Sequence, residues 1–157
     1  MRFPNKMIRW IQTCICSPKF SININGSLEG FFASSRGIRK GDPISPYIFV
    51  LVMDALSMII ANKVSLNGRF CFHWRCDQAR ITHLCFADDL FLFCGGQPDS
   101  ANTLKQALND FFALSGLSAN VSKSQIFVAG SDMHYRDALV SIFGFQLGVL
   151  CGATSAY

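Results

Sequence analysis

Asp88 and Asp89 are adjacent carboxylates set between two short apolar runs, residues 81–86 and 90–94. Two like charges this close repel, and a divalent cation removes the conflict. A pair of such ions roughly 4 Å apart supports nucleotidyl transfer, activating an attacking 3′-hydroxyl and stabilising the leaving pyrophosphate. An ordinary exposed turn, which aspartate also favours, is the competing reading. The rest of the chain decides between the two.

Upstream lies Arg36-Gly37-Ile38-Arg39-Lys40-Gly41-Asp42-Pro43-Ile44-Ser45-Pro46-Tyr47-Ile48-Phe49, a basic, glycine- and proline-punctuated loop running into an apolar helix. Phe86-Ala87-Asp88-Asp89 follows, and after a helical stretch comes Gly116-Leu117 with Asn120, Lys123 and Ser124. In order, spacing and residue type these three segments resemble motifs of the reverse transcriptases encoded by non-LTR retrotransposons, most closely the LINE-type elements of plant genomes. They are similar, in turn, to the template-and-nucleotide loop, the metal-binding hairpin and the next motif of the polymerase palm. The resemblance covers roughly residues 1–148 and leaves residues 149–157 as an unmatched tail.

The resemblance implies an RNA-directed DNA polymerase: RNA template, DNA primer and deoxynucleoside triphosphates as partners, and Mg²⁺ or Mn²⁺ as cofactor. It makes Asp88 the firm metal ligand and Asp89 a weaker one. Lys123 matches a lysine near the triphosphate, where an ammonium stabilises or protonates the leaving group; a plain surface lysine is the alternative. Gly37 and Gly41 would let backbone approach template and nucleotide, or simply shape turns. Arg36, Arg39 and Lys40 would face phosphate. Asp42, Pro43 and Ser45 belong to the same loop, and Lys40 stands where the family usually has glutamine. Phe86 is expected to pack beneath the hairpin, and Phe31, Phe32, Phe91, Phe93, Phe111 and Phe112 to fill the core rather than stack on bases.

The family also needs another metal-binding aspartate on a strand preceding the matched region, whereas no aspartate precedes Asp42 here and the single earlier acid is Glu29. The fingers, the thumb, an endonuclease, a ribonuclease H segment and a zinc knuckle are likewise not recognised. The expectation is an incomplete palm that does not polymerise by itself. A non-catalytic nucleic-acid-binding remnant is the second reading.

Composition fits one ordinary domain: 157 residues, 50% hydrophobic and 15% charged, with no repeat or long linker. Of the overall +4, the first forty residues carry seven bases against Glu29, a net of +6, so the remainder is −2. A basic approach and an acidic centre suit a phosphate backbone held beside carboxylates, as well as a merely solvated basic face. Seven cysteines at irregular spacing argue against a secreted disulfide framework and for an intracellular setting, nucleus or cytoplasm. Cys71, His73, Cys76, His83 and Cys85 lack zinc-finger spacing and read as buried thiols and their neighbours. No signal peptide is recognised. Residues 43–62 are apolar around Asp54 and read as a buried helix; residues 138–157 carry no charge and hold Gly144 and Gly148, the weaker reading being a terminal membrane anchor.

The elements that must position these residues follow from periodicity and punctuation. Pro4 opens a helix with Met7, Ile8, Ile11, Cys14 and Ile15 on one face, and Pro18 stops it. Residues 19–23 and 28–33 form a hairpin around Asn25-Gly26. Ser45 caps a core helix with Pro46 at its first position, running to about Ala61. Residues 81–86 and 90–94 are strands; Ser100 caps a helix whose face is Leu104, Ala107, Leu108, Phe111 and Phe112, ending at Gly116. Residues 124–128 form a last strand. Together these make an α/β (α+β) chain, an antiparallel sheet bearing the Asp-Asp hairpin and packed on two or three helices, which the resemblance implies is an incomplete polymerase palm.

Overall fold

The computed structural model describes residues 3–33, 38, 41–128 and 133–149. It forms two compact units, Met1–Leu51 and Val52–Tyr157, where the lack of linkers suggests one.

In the first unit, α1 (Asn5–Cys16) follows Pro4 and ends at Ser17, as Pro18 requires. Strands β1 (Lys19–Ile24) and β2 (Ser27–Ala33) pair antiparallel across Asn25-Gly26. Both turn residues have positive φ, 51° and 89°, the left-handed pair that a type I′ turn needs and that Asn-Gly tolerates. The Phe20 and Phe32 rings meet across the strands at 5.8 Å. No described residue of this unit is fully buried. Phe31 and Phe32, expected in the core, are exposed. Among the described residues β1 and β2 pair only with each other, and β2 is exposed at every position, so neither of its faces is covered.

The division between the units falls within α2 (Ser45–Leu66), which runs about a turn further than its apolar pattern suggests. In the second unit follow β3 (His83–Phe86), β4 (Asp89–Leu92), α3 (Pro98–Ser115), a 3₁₀ turn (Val121–Lys123), β5 (Gln125–Ile126), α4 (Met133–Phe143) and β6 (Gln146–Leu147). Leu56 and Ile60 of α2 pack against Leu104, Ala107 and Phe111 of α3, with Leu90 and Leu92 of β4 at the margin. The expected α3 face is thus correct except at Phe112, which is exposed.

Two expectations for the helices need correction. The circumference of α2 is not mostly covered: Tyr47, Val50, Met58 and Leu66 stand in solvent, and Leu56 and Ile60 alone are fully buried. Among the described residues α2 is the one helix long and apolar enough to cross a membrane, by length and composition. An all-round apolar pattern identifies no stripe, so it cannot say which side is covered. Ser100 does not cap α3, which starts at Pro98 after Gln97. Proline pre-sets the helical φ at that first position, two residues earlier than the serine. Ser100 is instead fully buried, and its Oγ accepts the Cys71 N–H at 2.9 Å.

Sheet organisation also differs. Among the described residues there are four α-helices rather than two or three, and three separate two-stranded ladders rather than one antiparallel sheet. The expected last strand is reduced to β5, which pairs parallel with β6 after the α4 crossover. α4 packs on α3 and stops at Gly144, whose φ of 71° ends it with the N–H bonded to Val140 O at 2.8 Å. The described part of residues 138–149 is therefore a helix end, a turn and a strand, not one spanning helix; residues 150–157 lie outside the described residues.

Candidate active site

The Asp-Asp box forms the tip of the β3–β4 hairpin. Its register is His83↔Leu92, Leu84↔Phe91, Cys85↔Leu90 and Phe86↔Asp89, so Ala87 and Asp88 are the two loop residues. Ala87 alone of the pair has a left-handed φ, 50°. Positive φ at the first loop position only is the requirement of a type II′ turn, a place normally given to glycine. Asp88 thus sits on the loop and Asp89 opens β4, both exposed.

Opposed residues of an antiparallel pair share a face, and faces alternate along the strands. His83, Leu90 and Leu92 accordingly turn inward, toward α2 and α3. Leu84, Phe86, Asp89 and Phe91 share the outward face. This corrects the expectation for two aromatics: Phe86 is 78% exposed and cannot underpin the tip, and Phe91 stands in solvent beside it. Phe93, one residue past β4, is half-buried, and its N–H bonds Thr82 O at 2.8 Å.

What holds the hairpin is a residue that motif reasoning does not single out. His83 Nε2 lies 2.8 Å from Ser57 Oγ on α2, and its Nδ1 lies 3.0 Å from Thr82 Oγ1. The Ser57 hydroxyl donates to Met53 O at 3.2 Å, so its oxygen accepts from Nε2–H, while Nδ1 accepts from the Thr82 hydroxyl. Every position of a neutral imidazole is used, and burial pushes the His83 pKa below its ordinary value. The sequence signal available was a histidine opening an apolar strand opposite the one serine in the middle of an apolar helix.

At the base of the hairpin Gly95 makes a close approach. Its N–H bonds Cys71 O at 2.8 Å, and a Cβ there would lie 2.7 Å from Cys71 Sγ and 3.1 Å from the Phe72 carbonyl oxygen. Burial pushes up the neighbouring Cys94 thiol, keeping it protonated. The six described cysteines are all free.

Lys123 stands on the 3₁₀ turn, exposed, and the turn is built by its motif neighbours. Asn120 Oδ1 accepts from the Ser122 N–H at 3.1 Å and the Ser122 hydroxyl at 2.7 Å, and the Ser124 hydroxyl donates to Asn120 O at 2.8 Å. Gly116 ends α3 with a φ of 73°. In the first unit, Gly41 has a φ of 89° and open space where a side chain would be, so turn geometry accounts for it. The Asp42 carboxylate accepts the Ile44 N–H at 3.0 Å, and its carbonyl accepts the Ser45 N–H at 3.0 Å, shaping the entry to α2. Ser45 is the first residue of α2 and not its cap, since Ile44 O already accepts the Ile48 N–H. Pro43 is exposed. Arg36, Gly37, Arg39 and Lys40 lie outside the described residues.

The structure thus brings Asp88 and Asp89 together and leaves Lys123 on a separate turn. Two carboxylates suit a hard, oxygen-preferring cation but supply only part of a coordination shell. Among the described residues no three His, Cys, Asp or Glu side chains gather in a way that would hold a metal ion.

Comparison with known proteins bears on residues 1–147, which match the model of the family described as reverse transcriptase (RNA-dependent DNA polymerase). The chain is 36% identical over 97 residues, 61% of its length, to the Pol polyprotein of the type-1 retrotransposable element R2 of Popillia japonica. It is 29% identical over 120 residues, 76% of its length, to that of the type-2 element R2DM of Drosophila melanogaster. An uncharacterized mitochondrial protein of Arabidopsis thaliana shares 42% identity over 67 residues, 42% of this chain. The matched stretches span 13%, 10% and 54% of those three relatives respectively. No solved structure matches. With the family model covering nearly all of the described fold, and non-LTR retrotransposon proteins among its relatives, the chain belongs to the reverse transcriptase family.

Proposed function

We propose that these residues are a palm segment of an RNA-directed DNA polymerase of a non-LTR retrotransposon, with RNA template, DNA primer and deoxynucleoside triphosphates as partners. The observation that carries the reading is the Asp-Asp tip: two exposed carboxylates on a tight hairpin, in a chain matched to the family from residue 1 to 147. Asp88, on the loop, is assigned the metal-facing role and Asp89, opening the strand, the supporting one. Mg²⁺ or Mn²⁺, when bound, supplies charge stabilisation for attack of the primer 3′-hydroxyl on the α-phosphorus, with pyrophosphate leaving. Lys123 is assigned to the triphosphate, and the loop from Arg36 through Gly37, Arg39, Lys40, Gly41, Asp42 and Pro43 to Ser45 to template and nucleotide. The inward histidine holds the tip to α2, so the carboxylates are presented from a braced strand pair.

We infer that the 157 residues by themselves do not polymerise. Two carboxylates leave the two-ion arrangement short of a bridging ligand, and no aspartate precedes Asp42. Primer extension on an RNA template with Mg²⁺ or Mn²⁺ tests this: no product is expected, and extension abolished by Asp88→Asn would overturn it. In a longer polymerase carrying these residues, Asp88→Asn should abolish extension. Full extension by that variant would remove the assignment of Asp88. The count of seven cysteines supports an intracellular setting.

A second reading keeps nucleic-acid binding without catalysis, on the strength of the net +6 in the first forty residues. It requires affinity for RNA that falls steeply with salt.

A further inference from the structure

Between α2 and β3 lies a stretch, residues 67–80, in which arginines flank a run of aromatic side chains: Arg69, then Phe70, Phe72, His73 and Trp74, then Arg75 and Arg80. It carries three arginines against the single acid Asp77, whereas the other residues of 52–157 carry four bases against seven acids. The positive charge of the second unit is therefore concentrated here.

The stretch has no helix or strand, yet its first part is pinned to α3 and the rest is folded into turns. Asn67 Nδ2 donates to Thr103 Oγ1 at 2.7 Å, and the Cys71 N–H is held by buried Ser100. The Cys76 N–H bonds His73 O at 2.7 Å, and the Ile81 N–H bonds Cys76 O at 3.1 Å. Phe72 is half-buried under the Arg80 guanidinium, 5.2 Å from its ring centroid. Trp74 is different. Arg75 lies 4.6 Å from the indole centroid, and the residue still leaves 72% of its surface in solvent. A large exposed aromatic surface with a guanidinium against it is what an unpaired nucleobase and its phosphate require: stacking for the base, charge for the backbone. A duplex offers no such free base face.

We propose that residues 67–80 form a docking surface for single-stranded nucleic acid, with Trp74 as the stacking platform and Arg75 and Arg80 as phosphate contacts. The proposal rests on the nucleic-acid reading above but concerns residues apart from Asp88, Asp89, Lys123 and the Arg36–Ser45 loop. The alternative is a solvated loop whose arginines pack on their neighbours and bind nothing.

The chain has two tryptophans, so Trp10→Phe leaves Trp74 as the sole indole. Uridine and thymidine homo-oligonucleotides are then titrated against this protein, reading indole fluorescence and, with labelled oligonucleotide, anisotropy. Quenching by either is expected, and the lower dissociation constant in the anisotropy titration tells whether RNA or DNA is preferred. Trp74→Ala should weaken binding by roughly fivefold or more, with Trp74→Phe recovering most of it. Arg75→Gln combined with Arg80→Gln should lower the slope of log affinity against log salt by roughly 1.4. All three positions are exposed or capping groups, and circular dichroism checks that the fold is kept. Binding at full strength by Trp74→Ala, without quenching in the parent, overturns the loop proposal while leaving nucleic-acid binding in place. Failure of both oligonucleotides to bind at all overturns it together with the nucleic-acid reading.

Discussion

The imidazole of His83 and the hydroxyl of Ser57 lie 2.8 Å apart and tie the first residue of the Asp-Asp hairpin to the middle of α2. Both partners of the ring, on Ser57 and Thr82, are hydroxyls, which can accept as well as donate, so it is burial rather than the hydrogen-bond pattern that favours the neutral ring. Burial holds its folded pKa below the ordinary 6.5. Stability from such a group is present in full above the unfolded pKa and is lost as the pH falls from there through the lowered folded value. Denaturant midpoints are expected to drop as the pH falls below the ordinary 6.5, and His83→Gln should flatten that component. An unchanged pH profile in the variant would remove His83 as its source.

At the base of the same hairpin, Gly95→Ala should destabilise the second unit by about 1–3 kcal/mol, because the new methyl meets Cys71 and a backbone carbonyl that cannot swing away. Adding Cys71→Ala removes the sulfur contact but not the Phe72 carbonyl. Partial recovery in the double variant, measured by urea titration, is the expected result.

Ala87 holds a backbone conformation that suits glycine. Ala87→Gly is expected to be neutral or to stabilise by up to about 1 kcal/mol, and Ala87→Val to cost about 1–2 kcal/mol, since a branched side chain tolerates left-handed φ least. Thermal melts of the three proteins would show that order; valine as stable as alanine would speak against the turn geometry.

Two substitutions on neighbouring surfaces of α3 should separate packing from charge. Leu104 is essentially buried between the helices, and Leu104→Ala should cost about 2–5 kcal/mol. Asp110 pairs with Lys63 at 2.8 Å, but both side chains remain substantially exposed. Asp110→Asn is therefore expected to cost under about 1 kcal/mol, less still at high salt.

Local chemistry made much of this fold readable. Asn25-Gly26 announces its turn, Pro18 and Gly116 end their helices, and the apolar runs around Asp88-Asp89 place the carboxylates on a hairpin tip. Burial was less readable. Period-two alternation says that Phe86 and Phe91 share a side with Asp89, but not whether anything covers that side. α2 posed the same difficulty in another form, being apolar at almost every position. Long-range partners left the faintest marks: Ser57 with His83, Ser100 with the Cys71 backbone, and β5 with β6 join residues distant in sequence through one or a few bonds. Within the candidate site, the adjacency of Asp88 and Asp89 was legible, whereas the brace behind them was not.

The parallel ladder of β5 and β6 has consequences for the order of assembly. It joins Gln125 with Gln146 and Ile126 with Leu147, and one further bond runs from the Gly148 N–H to Ile126 O at 2.8 Å. Closing the intervening chain loses entropy that so few bonds scarcely offset, unless α4 has first settled on α3. The two hairpins, with partners close in sequence, need no such preparation and can zip early. The ladder is therefore a late acquisition of the folding chain and an early casualty of local opening, and its amide protons should exchange with solvent well before those of α3.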